Sequence, residues 1–145
     1  MELTLERLLN SFTHLAIEEK LVNYAASASS FNTINGHTIK EYPVIFIQPR
    51  GQHTYTEDRT TYSLNLYYID RLLSDDSNDI NIYSTAIEEL KHFLKKIKEQ
   101  PFVLEVSDTI YFENFVDTHG KNDRVAGCYC SITVTVPNDS ICYED

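Results

Sequence analysis

The run Pro43-Val44-Ile45-Phe46-Ile47-Gln48-Pro49 constrains this chain more than any other stretch. Four consecutive apolar residues closed by prolines read as a strand, since the run is too short for a helix and proline punctuates a ladder. Successive strand residues point to opposite faces of a sheet. A strand apolar at every position therefore shows oil to both sides, and both need cover.

The residues around it supply partners. Residues 50–60 are polar and include Gly51, His53, Asp58 and Arg59. Beyond them Tyr62, Leu64, Leu66 and Tyr68 alternate with Ser63 and Asn65, which predicts a strand with one apolar face. The two runs together predict a long hairpin with an extended tip. Upstream, Leu5, Leu8, Leu9, Phe12, Leu15 and Ala16 recur at helical spacing over 3–17. Small side chains over 21–31 predict a weaker strand, and Asn35-Gly36 a turn. Downstream, 74–79 is a polar turn with several possible N-caps. A helix follows to about Glu99, with an apolar face of Tyr83, Ala86, Ile87, Leu90, Phe93, Leu94 and Ile97. Lys91, Lys95 and Lys98 flank that face, His92 and Glu88 lie opposite, and Pro101 stops the helix.

The last third predicts strands. Phe102, Leu104 and Val106 alternate, Ile110, Tyr111, Phe112 and Phe115 follow, and 118–123 makes a hairpin tip. A long final strand places Cys128, Cys130, Ile132, Val134 and Val136 on one face. Tyr129, Ser131, Thr133 and Thr135 fall on the other, and Pro137 ends it. The order α-β-β-β-α-β-β predicts an α+β class, with a mainly antiparallel sheet and two helices packed on one face. Residues 1–137 then form one domain and 138–145 an exposed tail.

Charge narrows the function. The chain has 22 Asp+Glu against 12 Lys+Arg, a net charge of −10. That balance repels phosphate backbones and argues against general nucleic-acid binding. It suits a wall past which DNA slides without sticking. Three cysteines with no basic, apolar leader predict a protein kept in a reducing cytoplasm. No apolar run approaches the roughly 18 residues of a membrane span.

Chemical motifs are sparse. No two of the five histidines sit at helical ligand spacing, so no metal is expected. Cys128-x-Cys130 on a strand reads as buried core. Asp75-x-Ser77-x-Asp79 opens like a calcium loop, but Ile80 and Ala86 stand where glycine and an acid are needed. With four glycines and no phosphate-loop motif, no cofactor and no catalysis are expected. Tyr67 and Tyr129, each on the polar side of its strand, are candidate interface residues. So are Lys91, Lys95 and Lys98, as a basic stripe facing acids on an adjacent subunit. Arg50, His53, Tyr55 and Arg59 of one tip, and His119 and Lys121 of the other, are candidate partner-binding residues. An acidic binding or inhibitor module acting on a basic protein, and a small enzyme, are the competing readings.

The arrangement resembles a known group. An N-terminal amphipathic helix precedes a strand and turn. Glu41-Tyr42-Pro43-Val44-Ile45-Phe46-Ile47-Gln48-Pro49 and Tyr62-Ser63-Leu64-Asn65-Leu66-Tyr67-Tyr68-Ile69-Asp70 then flank a polar tip, and helix 79–99 and closing strands complete the chain. Over about residues 3–136 this is similar to the tail-terminator and tail-completion proteins of tailed bacteriophages and to small neck or ring proteins of crAss-like phages. The resemblance implies a virion structural protein that forms a homo-oligomeric ring, commonly sixfold. Tail-tube and neck or connector proteins are the implied partners, and DNA passes through the lumen. No clear second exposed hairpin of the kind that docks onto tail-tube subunits is legible, so terminator and head-side connector both stay open.

Overall fold

The computed structural model of the chain describes residues 3–19, 21–22, 24–27, 42–73, 75, 77–119 and 123–138. The elements in order are α1 (Leu5–Glu18), β1 (Tyr24–Ser27), β2 (Val44–Pro49), β3 (Thr54–Tyr55), β4 (Arg59–Arg71), α2 (Asp79–Lys98), β5 (Glu105–Val106), β6 (Phe112–His119) and β7 (Asp123–Pro137). The α+β class, the mostly antiparallel sheet and the helices packed against it agree with the sequence pattern.

β4 is the spine. It pairs with β7 along its whole length, from Arg59↔Pro137 to Arg71↔Val125. Its other edge pairs antiparallel with β3 and then with β2. β1 adds to β2 in parallel. The connection 28–41, Asn35-Gly36 included, lies outside the described residues. On its far edge β7 carries β5 near its end and β6 over its first half. Gly127 lies opposite Ile69 in this ladder. A Cβ at Gly127 would sit 1.7 Å from the Tyr68 carbonyl oxygen, so the two backbones approach there as only glycine allows.

Strand parity sorts the core. Ile45, Ile47, Leu64, Leu66, Tyr68, Cys128, Cys130, Ile132 and Val134 face the helices and are buried. α1 presents Leu8, Leu9, Phe12, Leu15 and Ala16 to them. Thr4 caps α1 by accepting the Arg7 N–H at 3.2 Å. A helix of 14 residues is marginal alone in water. Packing decides, because each fully buried Leu or Phe contributes about 1.5–3 kcal/mol. α2 buries Ile82, Ala86, Leu90, Phe93, Leu94 and Ile97. The Lys96 ammonium lies 3.7 Å from both Glu19 and Glu99, linking the two helix ends.

Local departures have local causes. Two residues of the expected polar loop, Thr54 and Tyr55, pair with β4 as β3, so the tip is a structured hairpin. Phe102, Leu104 and Val106 are not one strand. The amide of Gln100 donates to the Ile97 carbonyl and that of Val103 to the Gln100 carbonyl, which turns the chain after α2. Phe102 then stacks on Phe12 at 6.2 Å, and Leu104 is exposed. The strand is reduced to Glu105–Val106, flanked by the Leu104 and Ser107 amides, which donate to the Thr135 and Thr133 carbonyls of β7. α2 has no side-chain cap. Asn78 instead accepts the Leu73 N–H and donates to the Arg71 carbonyl, pinning the end of β4 to the start of α2. Asn138 does not belong to a free arm. Its side chain donates to the carbonyls of Thr56 and Glu57, and its amide donates to the Asp58 carbonyl. Residues 139–145 lie outside the described residues.

Candidate functional site

The face of the sheet away from the helices carries the more unusual surface. Odd positions of β4 and β7 and even positions of β2 point there. Near one end Val44, Phe46, Ile69 and Val125 form a second buried cluster. Tyr67, Tyr129 and Phe115, each half-buried, lie over and beside it. Tyr67 and Tyr129 are register partners and stack, with ring centroids 5.1 Å apart and planes 21° from parallel. Phe115 meets Tyr67 edge-on at 5.9 Å, and Phe46 supports Tyr67 at 5.7 Å. Arg71 lies over the Tyr42 ring at 5.0 Å.

Each polar tip in this cluster is held by a neighbour. The Tyr67 hydroxyl donates to Gln48 Oε1 at 3.2 Å. Asn65 also donates to Gln48 and accepts from Ser131. The Tyr129 hydroxyl donates to Glu113. That bond to a carboxylate pushes the Tyr129 hydroxyl's pKa up; burial does the same for Tyr67. Both rings stay neutral at physiological pH. The result is a stiff aromatic platform with few free rotors, the kind of surface that buries area at low entropic cost.

The lysine stripe is elsewhere. α2 packs on the opposite face of the sheet, so Lys91, Lys95 and Lys98 do not join Tyr67 and Tyr129 in one surface. They rim an open cleft of about 330 Å³ floored by Leu94, Ile110 and Phe112. Asp108 also lines it. Glu88 and His92 are exposed, away from the apolar face of α2, and Glu88 sits one turn before Lys91, 3.2 Å from its ammonium.

The hairpin tip is polar and mostly self-satisfied. His53 Nδ1 accepts the Ser63 amide at 3.1 Å, and its ring meets Tyr62 edge-on. Arg59 pairs with Asp58 at 3.6 Å, and Tyr55 is 74% exposed. Arg50 borders an open hollow with Gly51, Gln52, Thr54 and Ser63, and its Nε is buried without a hydrogen-bond partner. His119 ends β6. Lys121 lies outside the described residues.

Cys128 and Cys130 are buried free thiols in the helix-side core, as the strand parity predicts. Burial pushes their pKa values up to about 11 and about 12. Such thiols are protonated and neither nucleophilic nor metal-binding at neutral pH. Among the described residues no three His, Cys, Asp or Glu side chains converge as a metal site would require. No described helix is long and apolar enough to cross a membrane.

Sequence reasoning reached Tyr67 and Tyr129 through strand alternation. It missed Phe115, grouped with Phe112 as one apolar run. The odd spacing between those two phenylalanines was the available signal: Phe112 packs toward the helices and Phe115 toward the aromatic platform. No known protein-family model matches this sequence, and no curated protein matches it.

Proposed function

We propose that this chain is a self-assembling structural subunit, forming a ring at the neck or the head-proximal end of the tail of a tailed-phage particle. The observation that carries self-assembly is the platform of Tyr67, Phe115 and Tyr129 on the side of the sheet away from α1 and α2. Helices cover one face of the apolar ribbon, and half-buried rings cap the other. An aromatic face on a chain of net charge −10 fits a contact between copies better than a contact with solvent. The phage setting rests on the element order, which resembles terminator and neck proteins. In that setting the acidic balance lines a lumen through which DNA moves without adhering.

The test is a double substitution, Phe115→Ser with Tyr129→Glu, followed by sedimentation velocity beside the wild type. The glutamate would sit next to Glu113, so repulsion adds to lost burial. The expected result is a discrete multimer for the wild type and a monomer with unchanged far-UV circular dichroism for the variant. Equal sedimentation of the two folded proteins would overturn the reading.

A further inference from the structure

We infer that the hollow beside Arg50 is a carboxylate-binding site. It forms where one edge of β4 loses its partner. β2 pairs as far as Pro49↔Leu64, and pairing resumes in β3 at Thr54↔Thr61. Between them residues 50–53 leave the ladder, save for the Arg50 amide, which donates to the Ser63 carbonyl at 2.8 Å. The Ser63 amide donates to His53 Nδ1 in place of a carbonyl. The gap opens a hollow of about 470 Å³ lined by Arg50, Gly51, Gln52, Thr54 and Ser63. Nothing lies within 4 Å of a Cβ placed on Gly51, which leaves that wall open.

The lining carries a positive charge, and no acid among the described residues opposes it. Gln52, Thr54 and Ser63 add an amide and two hydroxyls able to donate. Other arginines have their charge answered: Arg59 pairs with Asp58, and Arg71 lies over the Tyr42 ring. Arg50 instead keeps a buried Nε with no hydrogen-bond partner among the described residues. An orphaned buried donor on a cation calls for an occupant. The Nε–H and the neighbouring Nη–H form a fork that matches the two oxygens of a carboxylate. Turning that edge of the guanidinium onto the hollow releases Nε from its buried place, so binding relieves an unmet donor. Charge selects carboxylate over phosphate. One guanidinium balances one negative charge, and a dianion is repelled more strongly by a chain of net charge −10. The site does not rest on the self-assembly reading.

The experiment titrates the ¹⁵N-labelled full chain with sodium acetate near neutral pH, against sodium chloride at matched ionic strength. NMR follows the Arg50 Nε–H signal, assigned through bonds from the Arg50 amide. Acetate should move that signal saturably, with a dissociation constant on the order of 10 mM, as so small a ligand allows. Chloride should not. Arg50→Lys keeps the charge but loses the fork. In that variant the acetate affinity, read at the Gly51 and Ser63 amides, should fall by roughly tenfold with unchanged circular dichroism. Acetate shifts that merely track those of chloride would overturn the inference, and that comparison needs only the wild type. So would equal acetate affinity in a folded Arg50→Lys variant. Phosphate binding more tightly than acetate would overturn the choice of carboxylate. N-acetylglutamate α-amide separates the sources of a bound carboxylate. Affinity above that of acetate marks a protein side chain as the carrier, and affinity at or below it a free small carboxylate; each supports the site.

Discussion

Replacing Gly127 with alanine should cost the fold about 3 kcal/mol or more, from a single methyl group. The new Cβ would stand 1.7 Å from the Tyr68 carbonyl oxygen, 2.8 Å from its carbon and 3.2 Å from the Ile69 Cα. Those atoms are backbone, in the middle of the β4–β7 ladder, so no side chain can swing aside. Normal contact needs about 3.5 Å, which asks the two strands to part by nearly 2 Å. Two ladder hydrogen bonds near the break are worth about 1 kcal/mol each, and overpacking strain adds about 1–3 kcal/mol. With a urea dependence of about 2 kcal/mol per molar, the midpoint should fall by about 1.5 M. Gly51→Ala is the control, since nothing lies within 4 Å of its Cβ position, and it should move stability by less than about 0.5 kcal/mol. Both belong at one protein concentration, because association shifts the midpoint. A Gly127→Ala midpoint indistinguishable from the Gly51→Ala midpoint would refute the register and the reasoning built on it.

Asn138→Ala removes the clamp between the end of β7 and the hairpin tip. It should cost about 1–2 kcal/mol and speed exchange of the Thr56 amide, which donates to the Arg59 carbonyl; unchanged exchange would count against the clamp. Cys128 and Cys130 should resist iodoacetamide in the native protein at pH 8 and react once it is unfolded, as peptide mapping would read. Rapid native labelling of either would contradict their burial. The same thiols set a pH trend. Their folded pKa values are raised to about 11 and about 12, above the ordinary thiol value of about 8.5. Above that value the unfolded chain sheds protons that the folded one keeps, so their contribution, complete below about 8.5, is lost as pH rises toward 12. Urea midpoints that rise between pH 9 and 11 would reverse the sign and sink the assignment.

The helices and the long strands were legible because their periods are long and clean. Leu8, Phe12 and Leu15 mark one side of α1, and Leu64, Leu66 and Tyr68 alternate over enough of β4 to fix its face. The short strands were not. Two-residue β3 and β5 exist because β4 and β7 present open edges beside them, a tertiary cause that no local pattern carries. Phe102 illustrates the limit, since its alternation with Leu104 mimics a strand, whereas Pro101 and the turn bonds that follow α2 send it onto Phe12. Of the candidate surfaces, parity alone located Tyr67 and Tyr129. Their separation from the lysine stripe depends on which face of the sheet α2 covers, and a single chain's pattern does not carry that choice.

Native mass spectrometry of the wild-type protein, from micromolar to sub-millimolar concentration, tests self-assembly through the aromatic platform most directly. A closed ring has a fixed number of subunits, because a heterologous contact that closes leaves no free end. The account predicts one dominant multimer whose subunit count does not change with concentration. A monomer throughout the range, or a ladder of lengths that grows with concentration, would contradict it.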